Sequence, residues 1–144
     1  MKTFPSTIVI ADDDEDDIFL LDTSIKAINP DINITTARNG LKLLMILNNL
    51  KPDIIFLDIN MPVKDGLECL RELRANEKLS GTRVVIYSTS NNTAEIELSY
   101  NLGADYYFIK PDLQSKLNSM LAKLFTDHGL LNNIKPHRDQ FVLE

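Results

Sequence analysis

Short apolar runs alternate along the chain with longer segments in which apolar residues recur every three or four positions. The runs cover residues 7–11, 32–37, 54–57, 83–87 and 106–109. Runs of this length, rich in β-branched residues, are typical of strands buried on both faces, and the longer segments are typical of amphipathic helices. Five alternations predict an α/β fold in which right-handed crossovers build a parallel sheet.

Three segments of the chain have a weaker apolar pattern than the rest. The second run is the least apolar, so we expect it at an edge of the sheet. The helix predicted at 94–102 has a weak apolar face, which favours a mobile or partner-facing element. From about residue 127 the chain is polar and irregular until 141–143, which predicts a surface segment or a short added strand. We therefore divide the chain into a domain at 1–126 and an extension at 127–144 of unassigned role.

Composition narrows the function classes. The chain has 144 residues, 44% of them apolar and 25% charged, as expected for one globular domain. A formal net charge of -6 argues against direct nucleic-acid binding. The single cysteine, Cys69, allows no internal disulfide, and no run reaches the roughly 20 apolar residues of a membrane span. We expect a cytoplasmic protein with no membrane partner.

Polar residues stand at the carboxyl ends of four predicted strands. Asp12 and Asp13 follow the first strand, Asp58 the third, Ser88 the fourth and Lys110 the fifth. The carboxyl ends of parallel strands lie along one edge of a sheet, where such folds bind ligands. The sequence thus predicts one site containing all five residues. Taken singly, each could instead be an ordinary solvated residue at a strand end.

Three neighbouring carboxylates need a cation, and an oxygen-only ligand set favours Mg²⁺, with Mn²⁺ as an alternative. A calcium-binding EF-hand loop starting at Asp12 is excluded, because Asp17 stands where glycine is required and Thr23 where glutamate is required. An ionised Asp58 beside Mg²⁺ could accept a phosphoryl group as an acyl phosphate. Lys110 would then neutralise one phosphoryl oxygen and Ser88 would hydrogen-bond another.

With these residues the chain resembles the receiver domains of response regulators, the phosphoacceptors of two-component signalling. The resemblance runs from about residue 8 to 125 and is carried by Asp12-Asp13, by residues 57–62 with Asp65-Gly66, by Ser88, and by residues 107–111. It implies a flavodoxin-like five-stranded parallel sheet, order 2-1-3-4-5, with five helices on both faces. It also implies that a histidine kinase or hybrid kinase phosphorylates Asp58, with the metal held by Asp13, Asp58 and the Asn60 backbone carbonyl, assisted by Asp12.

Further expectations follow from the same resemblance. Ser88 and Tyr107 are expected to form a switch in which the serine turns toward the phosphoryl group and the tyrosine turns inward. The Lys110–Pro111 peptide bond is expected to be cis. Asn60 and Ser90 line the approach of hydrolytic water, so we expect them to set the lifetime of the acyl phosphate. Thr89 departs from the small alanine of many receivers, which would tighten access to the site.

The favoured function is a stand-alone receiver that switches a protein-binding surface and is not a turnover enzyme. That surface would be formed by the fourth helix (94–102), the fifth strand (106–109) and the fifth helix (113–124). Its partners would be the kinase and a downstream target or phosphotransfer protein, with homodimerisation left open. A phosphorelay intermediate is an alternative. A phosphohydrolase of the haloacid dehalogenase type is disfavoured because Asn60 replaces its second aspartate. A non-phosphorylated scaffold fits less well, because every position of the phosphoacceptor site holds a suitable residue. A flavodoxin-like cofactor binder also fits less well, because its loop after the first strand would be rich in hydroxyl residues and glycine, whereas this loop is acidic.

Overall fold

The computed structural model describes residues 5–126 and 135–144. Residues 1–4 and 127–134, the latter being the first part of the predicted extension, lie outside the described residues. The strands are β1 (Thr7–Ala11), β2 (Asn33–Ala37), β3 (Ile54–Leu57), β4 (Arg83–Ser88), β5 (Tyr106–Ile109) and β6 (Val142–Leu143). The helices are α1 (Glu15–Ile28), α2 (Gly40–Leu47), α3 (Gly66–Ala75), α4 (Thr93–Asn101) and α5 (Gln114–Thr126).

All strands are parallel, in the order β2-β1-β3-β4-β5-β6. The order of the first five strands and the edge position of β2 are as expected. The sixth strand extends the predicted five-stranded sheet, because residues 142 and 143 pair with β5. Residues 142 and 143 therefore form the short added strand that was one of the two structures expected for this part of the chain.

Alternate strand residues face two separate apolar layers, as the two-residue period of a strand requires. Ile8, Ile10 and Phe56 pack with α1 and α5 on one face. Val9 and Ile55 pack with α2, α3 and α4 on the other. A sheet covered on both faces needs continuous apolar strands, which explains why the central runs lack the usual alternation of polar and apolar residues.

Polar side chains define where the helices begin. Asp14 accepts hydrogen bonds from the backbone N–H groups of Asp16 and Asp17 at the start of α1. Asn92 does the same for Glu95 at the start of α4. Asp65 and Glu68 form a capping box that starts α3 directly after the loop that follows β3. These caps fix the lengths of the loops that surround the carboxyl end of the sheet.

The opposite edge of the sheet is held by a partly buried ionic network. The Arg74 guanidinium lies 2.9 Å from Asp105 and also donates to the carbonyls of Gly103 and Thr82. Arg83 lies 3.2 Å from the same carboxylate. Because burial disfavours the charged form, the pKa of Arg74 is lowered, with Asp105 opposing that effect. This network joins the end of α3 to the start of β4 and β5, away from the predicted site.

Within the described ranges no helix is both long and apolar enough to cross a bilayer.

Candidate functional site

The carboxyl ends of the strands bring the predicted polar residues to one edge, held by backbone hydrogen bonds between neighbouring strands. The Asp12 N–H donates to the Ala37 carbonyl at 3.0 Å, and the Asp58 N–H to the Ala11 carbonyl at 2.9 Å. The Lys110 N–H donates to the Ser88 carbonyl at 2.8 Å. Residues that are far apart in the chain therefore end their strands at the same level of the sheet.

Asp12, Asp13 and Asp58 form a cluster in which one carboxylate oxygen from each lies within 4.8 Å of the others. Asp12 and Asp58 are buried, with 1% and 6% of their surfaces exposed, whereas Asp13 faces solvent. Three carboxylate oxygens at this spacing, one open to water, suit a hard divalent cation that keeps some of its own water ligands. The cluster could thus bind a divalent metal ion.

The Asp58 carboxylate is difficult to ionise in the metal-free protein. Burial is the main cause and raises its pKa from 3.8 to about 7, with the neighbouring Asp12 adding to the effect. Lys110 and the backbone N–H of Asn60 act in the opposite direction. A cation bound beside Asp58 would favour the ionised carboxylate, which is the nucleophilic form.

Lys110 supplies the positive charge of the site. Its Nζ lies 2.8 Å from Asp12 Oδ2, 2.8 Å from Asp17 Oδ2 and 3.7 Å from Asp58 Oδ2. Burial by itself lowers the pKa of Lys110, but hydrogen bonds to Asp12 and Asp17 outweigh that effect and leave the pKa above its ordinary value. The lysine therefore stays protonated and compensates the buried carboxylates.

Asp17 is a contact that the sequence did not reveal. Asp17 lies in the first turn of α1, where the helix dipole alone favours an acidic residue. Its carboxylate pairs with Lys110, which directly follows β5 and is 93 residues away in the chain. Because a pairing of this kind depends on the crossing of α1 over the sheet, no local pattern in the sequence signals it.

The expectation of a cis Lys110–Pro111 bond is wrong for this structure. None of the peptide bonds among the described residues is cis. The trans isomer of an Xaa-Pro bond is favoured by roughly 0.5–1 kcal/mol, and here Lys110 reaches both Asp12 and Asp17 with the trans bond.

Ser88, Ser90 and Tyr107 form a hydrogen-bonded chain at the end of β4. The oxygen of the buried Ser88 hydroxyl accepts from the Ser90 N–H at 3.1 Å. The hydroxyl of Tyr107 donates to the Ser90 carbonyl at 2.8 Å, and its ring is fully buried. The Ser90 hydroxyl donates to Glu95 of α4. The aromatic side chain thus lies inward in this structure and is tied to the loop between β4 and α4.

Gly66 fixes the return of the chain toward Asp58. Its N–H donates to the Ile59 carbonyl at 2.8 Å. A Cβ at this position would lie 2.0 Å from the Asp58 carbonyl oxygen, so any side chain would displace the backbone of Asp58. Between them Val63 adopts a positive φ of 69°, and the Lys64 N–H bonds to the Pro62 carbonyl. A β-branched residue in this conformation is strained.

The two residues expected to influence hydrolysis lie in the loops beside Asp58. Asn60 is exposed after β3, and Ser90 is partly buried after β4. Thr89, between Ser88 and Ser90, is exposed. Their effect on an acyl phosphate, like the metal contact of the Asn60 carbonyl, stays a prediction.

The sequence of this chain matches a known protein family and several characterised proteins. The family model for the response regulator receiver domain matches residues 8–122. The nitrate/nitrite response regulator NarL of Escherichia coli strain K12 is 38% identical over 110 residues, covering 74% of this chain and 48% of NarL. The chain therefore spans about half the length of that relative. The response regulator Rcp1 of Synechocystis is 32% identical over 113 residues, covering 74% of this chain and 77% of Rcp1.

Solved structures agree with this assignment. The phosphorylated cyanobacterial phytochrome response regulator RcpA superposes with a TM-score of 0.78 at 28% identity, over 90% of this chain and 96% of RcpA. The Mn²⁺-bound form of Rcp1 superposes with a TM-score of 0.77 at 28% identity, over 85% of this chain and 96% of Rcp1. The family-model match over residues 8–122 contains all the predicted site residues, including the acidic edge formed by Asp12, Asp13 and Asp58. The chain belongs to the family of response regulator receiver domains.

Proposed function

We propose that Asp58 accepts a phosphoryl group from the phosphohistidine of a histidine kinase in a Mg²⁺-dependent reaction, and that the resulting aspartyl phosphate switches a protein-binding surface. The observation that carries this proposal is the position of Asp58. Its buried carboxylate lies 3.7 Å from the Lys110 ammonium and within 4.8 Å of two further carboxylates. The phosphorylated state of RcpA and the bound Mn²⁺ of Rcp1 support it.

The transfer is a substitution at phosphorus. An oxygen of ionised Asp58 forms the new P–O bond while the P–N bond to the kinase imidazole breaks. The imidazole, protonated on its other ring nitrogen, keeps the electron pair of that bond and leaves as the neutral base. Lys110, already within reach of Asp58, pairs with one phosphoryl oxygen. The Ser88 hydroxyl, at the end of the adjacent strand, donates its proton to another.

The metal-binding set of this proposal is Asp12, Asp13, Asp58 and the backbone carbonyl of Asn60. When bound, Mg²⁺ neutralises charge on the carboxylates and on the phosphoryl oxygens. The residues of the chain then hold Asp58 in position: the β1 hydrogen bond fixes its backbone, and Gly66 leaves room for it. Asn60 and Ser90, in the flanking loops, would limit the access of water and so set the lifetime of the acyl phosphate.

The proposed output is binding rather than turnover. Ser88 and Tyr107 connect the site to the loop that precedes α4, so a change at Asp58 reaches the face formed by α4, β5 and α5. The partners in this proposal are a histidine kinase or hybrid kinase and a downstream protein. We place the protein in the cytoplasm; the buried Cys69 thiol, whose pKa burial raises to about 11, suits a reduced, unreactive cysteine.

The proposal is tested by incubating the protein with acetyl phosphate and Mg²⁺ and measuring intact mass. We expect the wild type to gain the mass of one phosphoryl group and Asp58→Asn to gain none. Asp112→Asn removes the same charge from an exposed position two residues after Lys110 in the chain and serves as the matched control. Failure of the wild type to gain mass, or equal labelling of Asp58→Asn, would show that Asp58 is not the phosphoacceptor.

A further inference from the structure

The end of the chain covers the outer edge of β5. We call residues 135–144 the C-terminal segment. Within it β6 pairs with β5 in the register Tyr107↔Val142 and Phe108↔Leu143. The Tyr107 N–H donates to the Phe141 carbonyl at 3.0 Å. An uncovered β5 would present free backbone groups to a partner strand. Here the chain's own last residues occupy that edge.

Phe141 anchors the segment between α4 and β5. Its side chain is fully buried. The ring centroid lies 5.0 Å from that of Tyr100 on α4, with an interplanar angle of 80°, and 6.2 Å from that of Tyr107. Edge-to-face contacts of this kind add to the free energy gained from burying apolar surface. The C-terminal segment thus packs against α4, the helix for which the sequence predicts a weak apolar face.

Polar contacts along α4 hold the rest of the segment. The Tyr100 hydroxyl donates to the Pro136 carbonyl at 3.2 Å. The Lys135 ammonium lies 3.9 Å above the Tyr100 ring and donates to the Tyr100 carbonyl. Arg138 forms an ion pair with Glu97 at 2.5 Å. The C-terminal segment is therefore held against α4 and β5 by aromatic contacts, ion pairing and strand pairing. Together these contacts define one docked position.

Tyr107 belongs both to this docked face and to the phosphoryl site. Its backbone and ring contact the C-terminal segment, while its hydroxyl donates to the Ser90 carbonyl. The Ser90 N–H in turn donates to the Ser88 hydroxyl oxygen. Because a hydroxyl accepts and donates at once, Ser88 can keep this bond while donating its proton to a phosphoryl oxygen on Asp58. Phosphorylation would therefore add a bond at the Ser88 end of this chain of hydrogen bonds.

We infer that docking of the C-terminal segment against α4 and β5 is coupled to phosphorylation of Asp58, so that each strengthens the other. The inference rests on the proposed function and names the regulation of that same site. Coupling between two binding events is reciprocal, so the docked segment tightens the site by the factor by which an occupied site tightens docking. A protein that binds the face formed by α4 and β5 would therefore also contact the docked C-terminal segment.

The test uses the full chain and beryllium fluoride with Mg²⁺, a non-covalent analogue of the phosphoryl group whose binding is an equilibrium. Its affinity is followed by fluorine NMR, and docking is followed by hydrogen exchange of the Tyr107 amide. We expect saturating beryllium fluoride to slow this exchange at least about fivefold. Arg138→Glu should speed the exchange and weaken beryllium fluoride binding by a similar factor. The double variant Arg138→Glu with Glu97→Arg should restore both.

Two further variants keep the outcome decisive. Phe141→Ala should weaken binding as Arg138→Glu does, whereas Gln140→Ala, at an exposed position in the same segment, should change neither readout. Unchanged affinity in Arg138→Glu and Phe141→Ala, in a wild type that acetyl phosphate labels, overturns the coupling and leaves the proposed function intact. Absence of both labelling and analogue binding removes the proposed function and the coupling together. Amide protection that depends on protein concentration would assign the segment to a second copy and also overturn the inference.

Discussion

Replacing Asp58 by asparagine should stabilise the metal-free protein at neutral pH, although it destroys the proposed phosphoacceptor. Burial raises the pKa of Asp58 from 3.8 to about 7. Between these values the folded state binds more protons than the unfolded state, so this group's contribution to the free energy of unfolding falls as the pH rises through that window. Asparagine has nearly the same shape and no charge, and therefore avoids the loss.

The size of the effect follows from the pKa values. A shift of about three units at about 1.4 kcal/mol each gives a ceiling of about 4 kcal/mol for complete ionisation. Because Asp58 shares the site with Asp12 and Lys110, part of the effect is redistributed when one group is removed. We therefore expect a gain of about 2 kcal/mol at about pH 8, shrinking toward zero near pH 4.

The assay is urea unfolding followed by circular dichroism, with EDTA present, at several pH values from about 4 to 8. Asp112→Asn, which removes the same charge at an exposed position, should unfold like the wild type throughout. If Asp58→Asn is no more stable than the wild type at the upper end of this range, burial does not raise the pKa of Asp58 as stated. A gain that does not vary with pH would equally contradict ionisation as its cause.

Three other outcomes are expected. Mg²⁺ at about a hundred times its dissociation constant should raise the free energy of unfolding of the wild type by about 2.7 kcal/mol, and Asp13→Asn should lose most of that gain; an equal gain in the variant would exclude Asp13 as a ligand. Arg74→Met should cost about 1–3 kcal/mol in urea unfolding, because it removes one of the two arginines that contact Asp105 and the donor to the Gly103 and Thr82 carbonyls, and it should leave phosphoryl labelling intact. Replacing Asn60 and Ser90 together by alanine should change the half-life of the acyl phosphate severalfold; an unchanged half-life would remove them from the hydrolysis step.

The acidic edge could be predicted because each of its aspartates can be recognised from the residues next to it in the sequence. An apolar run that stops at Asp58, or at Asp12, marks the end of a buried strand without reference to any other part of the chain. Parallel topology then places such ends on one side of the sheet. The order of the first five strands came from the family resemblance.

The features that the sequence missed depend on long-range geometry. The contact between Asp17 and Lys110 requires the crossing angle of α1. The Arg74 network requires the end of α3 to meet the start of β5. The docking of Phe141 needs a pocket built from α4 and β5, and a three-residue apolar run gives no indication of its partner. The Lys110–Pro111 bond shows the reverse error, since the family pattern predicted an isomer that this structure lacks.

The central proposal is that the acidic edge makes Asp58 a metal-dependent phosphoacceptor. Its most direct test is peptide mapping by mass spectrometry after reaction with acetyl phosphate, with either Mg²⁺ or EDTA present. The expected result is one phosphoryl group, located at Asp58, in the Mg²⁺ sample and none in the EDTA sample. A phosphoryl group located on another residue, or equal labelling of Asp58 in both samples, would contradict it.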